Sequence, residues 1–136
     1  MGRGDVAEAL FKQGFSCAQA IFAAYAQDYG LDKEMALKIA QPFGGIVAGL
    51  RGECGSVTGA YMVIGLIYGS TDVEAGEAKC QTYEKVKLFS KRFKEVHQST
   101  VCRDLLEGRL GNQYDVCKEY VRTACEILDE IIDIEA

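Results

Sequence analysis

The apolar positions of this chain recur by threes and fours, and no stretch alternates by twos over the length of a strand. An α-helix turns about 100° per residue, so this spacing gathers apolar side chains onto one face. The pattern predicts helix after helix. Asp5 to Lys12 reads as a short first helix, stopped by Gly14. Ser16 is placed to cap a second, from Cys17 to about Tyr29, ended by Gly30. Asp32 caps a third through about Ala40. Pro42 and the stretch "FGGIVAGLRGE" then break the period, with Gly44, Gly45, Gly49 and Gly52, and Gly55 just after. A fourth helix runs from about Cys54 to Tyr68 and stops at Gly69. Ser70, Thr71 and Asp72 offer caps for a long fifth helix reaching about His97, with Tyr83, Val86, Phe89, Phe93 and Val96 as its buried stripe. Ser99 or Thr100 restarts a short sixth helix containing Cys102 and Leu106, which Gly108 and "GNQ" interrupt. A last helix spans about Asp115 to Ile132. The expected fold is all-α: a helical bundle of about six or seven helices, with a glycine-rich loop ahead of a central apolar helix.

Composition narrows the function more than the fold. At 136 residues, 49% hydrophobic and 26% charged, residues 1–136 are expected to form a single domain with a true core. The net charge of -5 argues against a nucleic-acid partner, which needs a basic face. The most apolar run, Val57 to Tyr68, falls short of the roughly 20 residues of a membrane span. The N-terminal "MGRGDVAEALFKQG" has no apolar stretch suited to a signal peptide, so a cytoplasmic location is the expectation.

Against that background the six cysteines, at positions 17, 54, 80, 102, 117 and 125, are anomalous. A reducing compartment disfavours a disulfide framework and favours metal or redox chemistry. The plain alternative is that they are small core residues. Helical direction separates them. Cys117 shares its face with Val121, Ala124, Leu128 and Ile131, and Cys17 with Ile21 and Ala24, so both point inward. Cys80 lies off the fifth helix's stripe and reads as peripheral. Cys125 sits at the edge of its stripe and reads as a packing residue. The remaining four, Cys17, Cys54, Cys102 and Cys117, each fall near the start of an expected helix. There the unsatisfied N–H groups and the macrodipole favour a thiolate. Up-and-down connectivity brings those helix starts toward one end of the bundle. Gly55 and Gly59, four apart, make a face on which another backbone, or a cofactor, could come close.

The segments "FSCAQAIFAAYAQDYGLD", "FGGIVAGLRGECGSVTGAYMVIGLIYG", "STVCRDLL" and "DVCKEYVRTACEIL" resemble the family named C_GCAxxG_C_C, over nearly the whole chain. The resemblance implies redox activity and places the family's four cysteines on Cys17, Cys54, Cys102 and Cys117. Its glycine motif falls on "CGSVTG", with Ser56 where alanine is usual, and Cys80 and Cys125 are extra to the pattern. Family relatives fused to other redox domains imply electron transfer.

Three readings remain open on the residues. In the first, two cysteines cycle between dithiol and disulfide, with Cys54 attacking beside Arg51 and Cys102 resolving, and a redox protein or a small-molecule oxidant or reductant is the partner. In the second, Cys17, Cys54, Cys102 and Cys117 hold an iron–sulfur cluster or zinc, although the close cysteine spacing usual for such sites is missing. In the third, the module is structural and its thiols inert. His97 is the only histidine. Its place near a helix C-terminus suits a structural role better than a Cys–His pair with Cys102. Tyr61, Tyr68 and the apolar fourth helix suggest a homodimer.

Overall fold

The computed structural model describes residues 2–43, 53–74, 76–101, 105 and 113–134. Among these residues there are six α-helices and no β-strand. They are α1 (Arg3–Lys12), α2 (Cys17–Ala26), α3 (Lys33–Ala40), α4 (Gly55–Tyr68), α5 (Gly76–His97) and α6 (Gln113–Ile134), with single 3₁₀ turns after α2 and α3. The molecule is an all-α bundle. No helix of the described residues is long and apolar enough to cross a membrane. The glycine-rich stretch 44–52 and most of the expected sixth helix lie outside the described residues.

α2 is the axis. Ser16 accepts from the Gln19 backbone N–H while the Gln19 side chain accepts from the Ser16 N–H, a complete capping box that starts the helix at Cys17. Every residue from Ala18 to Ala26 is buried. Its sequence, "CAQAIFAAYA", is mostly alanine, and such short side chains let α1, α3, α4 and α6 approach from all round. Gln19 is buried with them; its amide is satisfied by the Leu37 carbonyl at 3.0 Å. α4 is the second apolar helix and buries one side through Val57, Ala60, Val63 and Ile64. α6 closes the bundle with Val121, Ala124, Leu128 and Ile131, all inward as the period predicts.

The fifth helix differs from its reading. It begins at Gly76, because residues 70–74 close a turn first: Ser70 Oγ accepts from Asp72 N and Asp72 Oδ1 from Glu74 N. Its buried stripe is shorter than expected. Phe89 and Phe93 are fully buried, but Tyr83 is 54% and Val96 59% exposed. Tyr83 is the eighth residue of this 22-residue helix and Val96 its next-to-last, and the neighbouring helices leave both open to solvent.

Past α5 the chain reverses. Gln98 takes φ 72°, the left-handed conformation that ends many helices, and its N–H donates to Lys94 O at 2.6 Å. The chain then runs beside the entry to α4. Glu53 and Val101 form an antiparallel bridge, and the Cys54 N–H donates to the Thr100 carbonyl at 2.7 Å. Leu105 N–H returns to the Val101 carbonyl at 3.0 Å, and the Tyr120 hydroxyl of α6 donates to the Leu105 carbonyl at 2.6 Å.

Candidate functional site

The site is assembled where α2 and α4 begin, against the first turns of α6. Cys17 is the first residue of α2, directly after its cap. Cys54 is the N-cap of α4. Its side chain makes no capping hydrogen bond, but its carbonyl accepts from Val57 and Thr58 N–H at 2.9 Å. Cys117 is the fifth residue of α6. Cys17 and Cys117 are half-buried, and Cys54 is 4% exposed.

The glycines determine how close the helices come. A Cβ built on Gly55 would lie 3.3 Å from both the Ala18 nitrogen and the Cys17 Cβ. One on Gly59 would lie 3.0 Å from the Ala18 carbonyl oxygen and 3.1 Å from its Cα. The Ala18 neighbours are backbone and cannot step aside. The Gly55–Gly59 face therefore seats α2. Their effect on the site is indirect: with no side chain at 55, residues 54 and 17 are brought side by side.

The three thiols act on one another. The Cys17 thiol is held well above the usual thiol range. The largest cause is its hydrogen bond with Cys117, in which protonated Cys17 donates; burial follows, then the neighbouring Cys54 and Cys117 sulfurs. The Ser56 hydroxyl acts in the opposite direction, favouring the thiolate. The expected lowering of the pKa at a helix start is overridden at Cys17. A helix terminus carries only about half an elementary charge, and sulfurs sharing a buried pocket resist ionising together.

Cys102 lies outside the described residues, as does Arg51. The chain on either side of position 102 is anchored, at Val101 to Glu53 and at Leu105 to Tyr120. Among the described residues no three His, Cys, Asp or Glu side chains form a metal-ligating group. Cys17, Cys54 and Cys117 as they stand are therefore not a ligand set, and the four-thiolate expectation depends on Cys102.

The residues set aside on sequence are placed elsewhere. Cys80 is exposed on α5. Cys125 is buried, and burial first of all pushes its thiol up to about 12. Lys118, next to Cys117 in sequence, turns to Glu8 of α1 at 3.8 Å. His97 ends α5 and pairs through Nε2 with Thr123 Oγ1 at 2.9 Å, its ring edge-on to Tyr120.

Sequence reasoning missed two features. One is Ser56, fully buried in the first turn of α4, whose Oγ has no hydrogen-bond partner of acceptable geometry among the described residues. The serine standing where the family motif usually has alanine was the available signal. The other is the Tyr25 hydroxyl, which donates to the Cys125 carbonyl at 3.0 Å and to Asp129 Oδ1 at 2.8 Å. Its partners lie about a hundred residues away along the chain, and no local pattern announces them.

Residues 15–131 match the family model described as "Putative redox-active protein (C_GCAxxG_C_C)". No curated protein and no solved structure matches the chain.

Proposed function

The chain belongs to the C_GCAxxG_C_C family, and from that premise we propose that it is a dithiol–disulfide redox protein whose first reactive couple is Cys17 with Cys117. The observation that carries this reading is the hydrogen bond between these two thiols, with Cys54 alongside. Thiols that share a hydrogen bond need only a small movement to reach bonding distance. Cys117 is the better entering nucleophile, because it is half-exposed where Cys54 is buried. This moves the attacking role away from Cys54, the choice made on sequence.

The exchange balances against a disulfide-bearing partner, protein or small molecule. The Cys117 thiolate attacks one partner sulfur, forming a mixed disulfide and expelling the other sulfur as a thiolate. Cys17 loses its proton and attacks the Cys117 sulfur, forming the Cys17–Cys117 disulfide and expelling the second partner thiolate. Two electrons pass to the partner, which takes up two protons. Cys54 and Cys102 form a second couple in this reading, supported by the backbone pairing of Glu53 with Val101 one residue from each. A reducing cytoplasm is the compartment in which such a couple would cycle.

The test is linkage mapping. Reduced protein is oxidised with oxidised glutathione, remaining thiols are blocked, and peptides are assigned by mass spectrometry. A Cys17–Cys117 link is expected, with Cys125 recovered as thiol. Absence of a Cys17–Cys117 link would sink the proposal. Stoichiometric iron or zinc in anaerobically isolated protein would replace it with the metal reading.

A further inference from the structure

Ser56 is the second residue of α4, directly beside the thiol pocket, and none of its surface reaches solvent. A buried hydroxyl without a partner is costly, and native structures seldom keep one without a physical reason. Its Oγ has no hydrogen bond of acceptable geometry among the described residues. The group it faces is the Cys17 side chain. Its neighbour Gly55 packs directly on the Cys17 Cβ at 3.3 Å, so the approach of the two helix starts sets this arrangement and exposed side-chain rotamers do not.

In the resting state Cys17 carries its proton and donates it toward Cys117. A neutral thiol is a weak acceptor, and the Ser56 hydroxyl gains little from it. A thiolate at Cys17 is a strong acceptor, and a hydrogen bond to it is charge-assisted. We propose that Ser56 is a built-in hydrogen-bond donor for the Cys17 thiolate, left unsatisfied while Cys17 is protonated and satisfied when that sulfur turns nucleophilic. Cys17 forms its thiolate only in the resolving step, as it attacks the Cys117 mixed disulfide. The Ser56 O–H would then stabilise that step and not the resting dithiol, the differential that accelerates a reaction. Its desolvation is already met by folding, so no reorganisation is needed when the charge appears.

This inference rests on the Cys17–Cys117 reading, and its test is separable from it. In fully reduced wild-type and Ser56→Ala protein, iodoacetamide labelling of the Cys17 peptide is followed against pH, with no disulfide partner present. Loss of one charge-assisted donor is expected to slow Cys17 labelling about tenfold at a given pH, moving its pH profile up by about one unit. The melting temperature of Ser56→Ala is expected to match or exceed wild type, because an unsatisfied hydroxyl is removed. Labelling of exposed Cys80 in the same sample, unchanged, is the internal control. A Cys17 profile that does not move, whatever the melting temperature does, overturns the Ser56 role. A moved profile together with no Cys17–Cys117 link under oxidised glutathione leaves Ser56 as a donor and overturns the disulfide couple instead.

Discussion

Two buried hydroxyls in this molecule sit beside a cysteine, and they are treated in opposite ways. At one place Tyr25 of α2 reaches α6 and donates to both the Cys125 carbonyl and Asp129 Oδ1. At the other Ser56 of α4 faces Cys17 and makes no hydrogen bond of acceptable geometry among the described residues. Burial raises the thiol at both places, leading the causes at Cys125 and following the hydrogen bond with Cys117 at Cys17. The Tyr25 pair is complete in the resting fold and so works as structure. The Ser56 pair is incomplete at rest, which is what a site that must change charge requires. The same contrast separates the cysteines: Cys125 is raised first of all by burial, whereas Cys17 is raised first of all by a neighbouring thiol.

Alkaline pH gives the largest way to sharpen this contrast. The folded Cys125 pKa, about 12, lies above its ordinary 9.0. The unfolded chain therefore loses this proton first as pH rises, and the folded state binds more protons between the two values. Stability is full below about pH 9 and falls through the window up to about 12, at about 1.4 kcal/mol per pH unit for this one group. Urea unfolding of Cys125→Ala at a series of pH values should show a shallower alkaline slope by that amount. An unchanged slope would mean the Cys125 site is wetter than the structure shows.

Tyr25→Phe gives a smaller effect of opposite meaning to Ser56→Ala. It removes a hydroxyl with two acceptors, one of them a carboxylate, and should destabilise by about 1–3 kcal/mol in urea unfolding. Equal responses from the two variants would dissolve the distinction between a satisfied and a reserved hydroxyl. The smallest effect belongs to Cys80→Ser. With its thiol exposed on α5, stability should stay within about 0.5 kcal/mol and the pattern of linkage among the other cysteines should not change. A changed linkage pattern would bring α5 into the redox site.

Much of this was legible along the chain. Ser16 and Asp32 cap the helices they were expected to cap, because a cap is chemistry within three or four residues. Val121, Ala124, Leu128 and Ile131 face inward because a regular helix repeats its direction. The periodicity failed at Tyr83 and Val96, because a repeat gives the direction of a side chain and not whether another element covers it. It was silent on Ser56, whose significance lies in which atom stands opposite it.

The order and type of the helices, the inward direction of Cys17 and the small-residue faces that let helices touch were determined by the sequence alone, since each depends on neighbours a few positions away. Tertiary structure alone decided that α2 rather than α4 is enclosed on every side, that Gly59 meets the Ala18 backbone, and that Cys17 and Cys117 meet. Those outcomes depend on pairings between residues up to a hundred positions apart, and the energy that selects them comes from packing whole helix faces together, a quantity no local stretch contains.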